Sequence, residues 1–326
     1  MKNKRSLVTG AAGFLGSHLV DQLIKLDHDV IALDILPIDQ WKNLDHWRSS
    51  PKLSCVEKDI IQIQEDDSNF KEVDFVFHLA GMECAATSFT KPDNYYNTNV
   101  LGTLKVLQAC RYSFVKKVVF ASSFEVYGNA NTPTLETDEL APISPSGLSK
   151  KHAEESLFHW AKHFDFEAVS LRIFNAYGPR YRSGESFGNG FEAWMKQTKE
   201  NQPLTFKGKK EQVVDFIYCT DVANAFVIAA LEGQTGQAYN IGSGKPHELQ
   251  EIATLLKSNN LVETGPITEP ERIWADISKF QFDSNWQPRV PLATGIEFSI
   301  EVEEQWNDSK IWDAKNLDQF LRPIKK

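Results

Sequence analysis

Short apolar runs alternate with stretches of helical periodicity through the first half of the chain. Residues 6–9, 29–33, 75–79, 118–121 and 169–173 read as strands, because each is a short run rich in apolar and β-branched residues. Between them, residues 14–26, 97–109 and 149–163 carry apolar positions at helical spacing. Apolar-rich strands separated by amphipathic helices predict an α/β fold: a doubly wound parallel sheet with helices on both faces. After residue 175 the rhythm changes. A Gly-, Arg- and Ser-rich stretch at 178–190 reads as irregular, followed by a helix at 191–200 and a charged turn. Residues 216–218 and 221–231 form one more strand and helix, and shorter elements with several prolines follow, including a helix at 249–256. The expected organisation is a nucleotide-binding domain over 1–174 and 215–242, with a smaller interleaved C-terminal lobe over 175–214 and 243–326.

Composition narrows the function classes without choosing among them. The 326 residues are 41% hydrophobic and 24% charged, ordinary for a globular protein. A net charge of −9 with no long Lys/Arg block gives no footprint for nucleic acid. No apolar run reaches membrane-spanning length, and the basic start leads directly into a strand, so a cytoplasmic protein with no membrane partner is expected. Cys55, Cys84, Cys110 and Cys219 are widely spaced, which argues against a metal site or a disulfide framework.

The strongest chemical signal is the stretch TGAAGFLG, where Gly10, Gly13 and Gly16 follow a predicted strand and open a predicted helix. In a dinucleotide site the first glycine permits the tight turn and the second lets backbone amides approach a pyrophosphate. The third allows helix and strand to pack closely. The helix N-terminus then offers unpaired N–H groups to the phosphates. Asp34 ends the next strand, where its carboxylate can accept from ribose hydroxyls and would repel a 2′-phosphate, so NAD is expected over NADP. Asp59 and Ile60 follow another apolar stretch and are candidates for the adenine end.

The spacing T-G-x-x-G-x-x-G resembles the extended short-chain dehydrogenase/reductases, the NAD-dependent sugar-nucleotide epimerases and dehydratases. HLAG (78–81), NVLGT (99–103), SSFEVYG (122–128), LRIFNAYGPR (171–180), DFIYCTDVA (215–223), YNIGSG (239–244) and ADISK (275–279) carry the resemblance along nearly the whole chain. It implies cofactor contacts at Gly10, Gly13, Phe14, Leu15, Gly16, Asp34, Asp59, Ile60, Leu79, Ala80, Gly81, Asn99, Lys150 and Phe174, and a sugar-nucleotide contact at Asn175. Ser123 falls where the family places the hydroxyl that binds the sugar hydroxyl being oxidised. Lys150 would orient the nicotinamide ribose and favour an anion at the oxidised oxygen. The family often dimerises through the helices expected here at 99–109 and 149–163, so a homodimer is expected.

Two positions depart from the family pattern. The active-site Tyr of S-P-Y-G-x-S-K is replaced in Ser144-Pro145-Ser146-Gly147-Leu148-Ser149-Lys150. A phenol beside a lysine and a cationic nicotinamide can be brought toward operating pH; a serine hydroxyl is shorter and far less acidic. At best Ser146 holds a water where the phenol oxygen would be. The Arg expected before D-F-I-Y, which clamps a diphosphate through its two-pronged guanidinium, is Val214. Lys207, Lys209, Lys210, Arg180, Arg182 and Arg272 are the substitutes, Arg272 foremost because it precedes ADISK.

Glu125 argues against simple decay. It stands where the family's dehydratases and decarboxylases carry Glu, and if the strand continues through it, Ser123 and Glu125 face one side. The expected activity is C4 oxidation of a nucleotide sugar, followed by dehydration, decarboxylation or epimerisation, with Ser123, Glu125, Ser146 and Lys150 at the reacting centre. The alternative is a catalytically weakened NAD-binding paralogue or active-site variant with a structural or regulatory role.

Overall fold

A computed structural model describes residues 4–181, 190–206, 211–258, 260–263 and 270–302. Its centre is a seven-stranded sheet of β1 (Arg5–Thr9), β2 (Asp29–Asp34), β3 (Leu53–Glu57), β4 (Phe75–His78), β5 (Lys117–Ser123), β6 (Glu167–Ile173) and β7 (Gln237–Ile241). The order is β7-β6-β5-β4-β1-β2-β3 and every pairing is parallel. The chain leaves β1 toward β2 on one side and returns to β4 on the other. This reversal opens a crevice at the C-terminal ends of β1 and β4, where ligands bind in such sheets.

Strand alternation explains the two cores. Val8, Ala32, Phe77 and Val119 face one side and pack with Leu19, Val20 and Leu23 of α1 (Phe14–Lys25). Leu7, Ile31, Val76 and Val118 face the other, against Val106 and Leu107 of α2 (Thr103–Tyr112) and Ala153 and Leu157 of α3 (Pro145–His163). Part of the apolar face expected at a dimer contact is therefore core; Leu101 stays exposed and Phe158 and Trp160 are partly buried.

Two strands of this sheet are not expected from the sequence. β3 lies at the sheet edge with only partly buried residues, so it lacks a continuous apolar run. In β7, Asn240 is fully buried because its amide donates to the carbonyls of Thr134 and Asp276 and accepts from Tyr127. The expected helix at 97–109 begins as a π-helical segment, Tyr96–Gly102, before α2. α3 starts at Pro145, with Ser144 capping it by accepting the Gly147 N–H at 3.0 Å, so Ser146 lies in the first turn.

A third core joins α4 (Phe191–Lys199) to later segments through Trp194, Met195, Phe216, Leu249, Ile252 and Ile296. There Val213–Val214 is the middle strand between His247–Glu248 and Arg272–Ile273. α5 (Cys219–Leu231) returns the chain to the main sheet beside α1. Among the described residues no helix is long and apolar enough to cross a membrane.

Candidate functional site

The crevice holds a cavity of about 890 Å³, lined at one end by the glycine turn and Asp34 and at the other by Glu83, Tyr95, Glu125, Lys150 and Asn175. Gly10 has a φ of +69°, and a Cβ there would lie 2.8 Å from the Ala80 nitrogen. A Cβ on Gly16 would lie 2.1 Å from the Gly10 carbonyl oxygen, so α1 sits directly on the turn. Phe14, Leu15 and Gly13 also line the cavity. Gly13 caps α1 without a side-chain acceptor, and the first turn carries no acidic residue. The helix end is therefore suited to an anion.

Asp34 has a structural task as well as a place in the wall. Its Oδ2 accepts the Ala12 N–H at 2.9 Å and its Oδ1 the Leu36 N–H at 3.1 Å. Asp59 and Ile60 line the same end; Asp59 Oδ1 accepts the Ile61 N–H at 3.0 Å and so caps the short turn at Ile60–Gln62. Lys58 lines it too and pairs with Asp67 at 2.5 Å.

Leu79, Ala80 and Gly81 continue from β4 along the cavity, positioned by a buried relay beneath them. His78 Nδ1 lies 2.7 Å from the Thr9 hydroxyl, which accepts the Ala80 N–H. His78 Nε2 lies 2.9 Å from the Thr103 hydroxyl, which donates to the Asn99 carbonyl. Full burial lowers the His78 pKa from 6.5 to about 3, with the Lys150 charge adding to the effect, so the ring is neutral in the relay. Asn99 itself does not line the cavity; it holds Met82 and donates to Ser149 at 2.8 Å. Phe174 is also fully buried, beneath the wall against Phe124 and Tyr127.

Lys150 is 4% exposed and donates to the Ala121 carbonyl at 2.8 Å, with its ammonium 5.4 Å from the Phe120 ring centre. Burial lowers its pKa, and the carboxylates of Glu83 and Glu125 oppose that shift. Ser146 stands one helical turn before Lys150, fully buried, and its hydroxyl has no hydrogen-bond partner among the described residues. It does not line the cavity.

The strand does not continue through Glu125 as expected. β5 ends at Ser123, and Phe124–Val126 is a 3-10 turn capped by Ser123 Oγ, which accepts the Glu125 N–H at 3.3 Å. Strand alternation therefore does not relate the two side chains. Glu125 still reaches the cavity, and its Oε2 accepts from the Ser144 hydroxyl at 3.2 Å. Ser123 is fully buried and does not line the cavity, whereas Ser122 does.

Neither nearby phenol is a ready base. Tyr127 donates to Asn240 at 2.6 Å and accepts from Arg172 at 2.9 Å, and burial pushes its pKa up. Tyr95 lines the cavity, donates to the Cys84 carbonyl at 3.0 Å and bonds the Thr87 hydroxyl; burial pushes it up as well. Glu83, Cys84, Thr87, Lys91, Asn94 and Tyr95 went unread in the sequence, because helices as short as Ala85–Ser88 and Pro92–Tyr95 leave no periodicity.

On the far side Asn175 lines the cavity and donates to the Asp215 carbonyl at 3.2 Å. Asp215 ties three segments together by accepting from Ser243, Gly244 and Ala275. Val214 is buried in the third core. Arg180 pairs with Asp21 at 2.8 Å. Arg272 is exposed, 5.6 Å from the Trp274 ring centre, and does not line the cavity. Arg182, Lys207, Lys209 and Lys210 lie outside the described residues. Among the described residues no group of three His, Cys, Asp or Glu side chains is placed to hold a metal ion.

A family model described as the NAD dependent epimerase/dehydratase family matches residues 6–242. The chain belongs to this family. Relatives within the epimerase/dehydratase family span several reactions. A Methanocaldococcus jannaschii protein provisionally named UDP-glucose 4-epimerase is 35% identical over 300 residues, covering 89% of this chain and 95% of that protein. UDP-glucuronic acid decarboxylase 1 of Xenopus tropicalis is 28% identical, covering 94% of this chain and 75% of that one. The crystal structure of UDP-glucuronic acid 4-epimerase from Bacillus cereus, in complex with UDP-glucuronic acid and NAD, superposes with a TM-score of 0.85. It is 29% identical, covering 92% of this chain and 99% of that one.

Proposed function

We propose that this chain holds NAD and a nucleotide-activated sugar, most simply a uridine diphosphate sugar, and acts through oxidation at C4 of the sugar. The observation that carries this reading is one cavity joining the glycine turn and Asp34 to Lys150, Glu125 and Asn175. Gly10, Gly13, Gly16 and the open N-terminus of α1 would receive the pyrophosphate, and Asp34 the adenosine ribose. When bound, NAD supplies the acceptor for the sugar C4 hydride and later its donor.

The chain's own residues then divide the remaining work. Lys150 holds the nicotinamide ribose and favours negative charge on the oxidised oxygen. Glu125 takes the proton from the carbon beside the ketone, which the carbonyl has acidified. That proton removal starts a 4,6-elimination. After loss of carbon dioxide from a 4-keto uronic acid the same carboxyl would instead return a proton to that carbon. A simple 4-epimerisation needs neither, so dehydration or decarboxylation is favoured. Ser146 lies behind the cavity wall and does not replace the family's phenol there. Two protomers would pair through Leu101 of the π-helical segment before α2 and Phe158 and Trp160 of α3.

A second reading is a weakened, NAD-binding regulatory protein. The buried Ser146 hydroxyl and the occupied Tyr95 and Tyr127 phenols favour it, because they leave no activated phenol in the cavity. The test follows reduced-cofactor absorbance and sugar products across a panel of nucleotide sugars, for the wild type, Glu125→Gln and Ser146→Tyr. Turnover in the wild type that disappears in Glu125→Gln supports the first reading. NAD binding without turnover in either the wild type or Ser146→Tyr supports the second.

A further inference from the structure

We propose that Glu83 accepts the proton of the sugar hydroxyl at the oxidised carbon, the task left open by the missing phenol. The inference rests on the nucleotide-sugar reading above. Oxidation at C4 breaks two bonds to hydrogen. The C4–H electron pair leaves as hydride to the nicotinamide, and the hydroxyl proton passes to the Glu83 carboxylate as the C=O bond forms. The return step reverses both transfers, with the carboxyl giving its proton back to the oxygen. A carboxylate is a weak base toward a resting alcohol. As hydride departs, however, the oxygen becomes that of a protonated ketone, which gives up its proton readily.

Other groups at this end of the cavity are otherwise engaged. Ser146 is sealed behind the wall, and the Tyr95 and Tyr127 phenols are pushed up by burial and held in hydrogen bonds of their own. Lys150 donates to the Ala121 carbonyl and contributes positive charge. Glu125 accepts from Ser144 and already serves the neighbouring carbon. Glu83 lines the cavity and is exposed to it, and among the described residues its carboxylate makes no hydrogen bond or ion pair.

The loop that carries Glu83 is fixed on both sides and rests against Lys150. Asn99 grips the Met82 peptide before it, and the Cys84 carbonyl after it accepts from the Tyr95 hydroxyl and the Ser88 N–H. A Cβ on Gly81 would lie 3.0 Å from Lys150 Nζ, so the start of this loop touches the ammonium. Of the two carboxylates that oppose the effect of burial on Lys150, Glu83 acts more strongly than Glu125. Both also act on the Tyr95 phenol, so they flank one part of the cavity. Glu83 and Lys150 would thus divide between them what a phenol and a lysine do elsewhere in the family.

The test mixes the NAD complex of the full chain with UDP-glucose, UDP-galactose or UDP-glucuronic acid. Reduced-cofactor absorbance and sugar products are followed for the wild type, Glu83→Gln, Glu83→Ala and Glu125→Ala, with affinities from calorimetric titration. Glu83→Gln should slow cofactor reduction about a hundredfold or more, the effect of losing a general base. Its melting temperature should match the wild type, and its NAD and UDP-sugar affinities should stay within about threefold. Formate should restore part of the rate in Glu83→Ala by placing a carboxylate in the vacated space. Glu125→Ala should still reduce the cofactor and fail only afterwards. Cofactor reduction at the wild-type rate in Glu83→Gln overturns the inference while the nucleotide-sugar reading stands. A rate loss matched by an equal fall in NAD affinity, with no rescue by formate, also overturns it, because Glu83 would then serve only to hold the cofactor. A wild type that binds NAD but gives neither cofactor reduction nor product with any of the three sugars removes both.

Discussion

Asn99 grips Met82 by both sides of its peptide: Oδ1 accepts the Met82 N–H at 2.7 Å and Nδ2 donates to the Met82 carbonyl at 2.9 Å. The same amide reaches Ser149 in α3, so the cavity-lining loop after β4 is tied to the helix that carries Lys150. An Asn99→Ala substitution removes all three bonds and leaves buried backbone groups unpaired. It should cost about 2–4 kcal/mol of stability and weaken NAD binding, measured by urea unfolding and cofactor titration. Full NAD affinity in the variant would mean that the loop keeps its position without this tie.

Asp34 predicts a coupled loss. Its carboxylate holds the Ala12 and Leu36 N–H groups as well as facing the cavity. Asp34→Asn keeps only one oxygen acceptor and removes the charge that repels a 2′-phosphate. NAD affinity should fall about tenfold, the preference for NAD over NADP should narrow, and the melting temperature should drop by a few degrees. Calorimetric titration with both dinucleotides reads the first two effects.

Glu154 and Arg172 form a buried pair at 2.6 Å, with Ser170 also donating to the carboxylate and Arg172 donating to Tyr127. Removing one partner strands the other charge, so Glu154→Ala should cost about 3–5 kcal/mol. The double replacement Glu154→Leu with Arg172→Leu should recover part of that loss in denaturant titrations, since neither charge is left buried alone.

Acid should loosen the fold before the carboxylates titrate. Burial holds His78 down to about 3 and, together with the Arg180 charge, His18 down to about 4. Between the ordinary histidine value of 6.5 and these values the unfolded chain binds protons that the folded chain does not. Stability is therefore fully present above pH 6.5 and declines as pH falls, by at most about 1.4 kcal/mol per pH unit for each histidine. Melting temperatures from pH 7 to 5 should fall, and His78→Gln should flatten that slope.

The glycine turn and the strands β1, β2, β4, β5 and β6 were readable in the sequence because each rests on local sterics or a short apolar-rich run. β3 was hidden by its half-exposed edge position, and β7 by Asn240, whose burial depends on partners far along the chain. The gap at the reacting centre has the same origin. Which serine meets the cavity depends on where β4 stops and where β5 gives way to a turn, and neither end is marked by residue type. Glu83 and Tyr95 reach the site through packing of short helices, which composition and period do not reveal.

Gly10 against Ala80 and Gly16 against the Gly10 carbonyl are contacts the chain makes with itself. A side chain at either position would collide with backbone whether or not the protein ever turned over a substrate. Drift that erased the reaction would thus still meet a barrier at these glycines, raised by the need to fold. The survival of such a turn in a lineage is a record of foldability, and the history of the chemistry must be sought at Glu125, Ser146 and Lys150 instead.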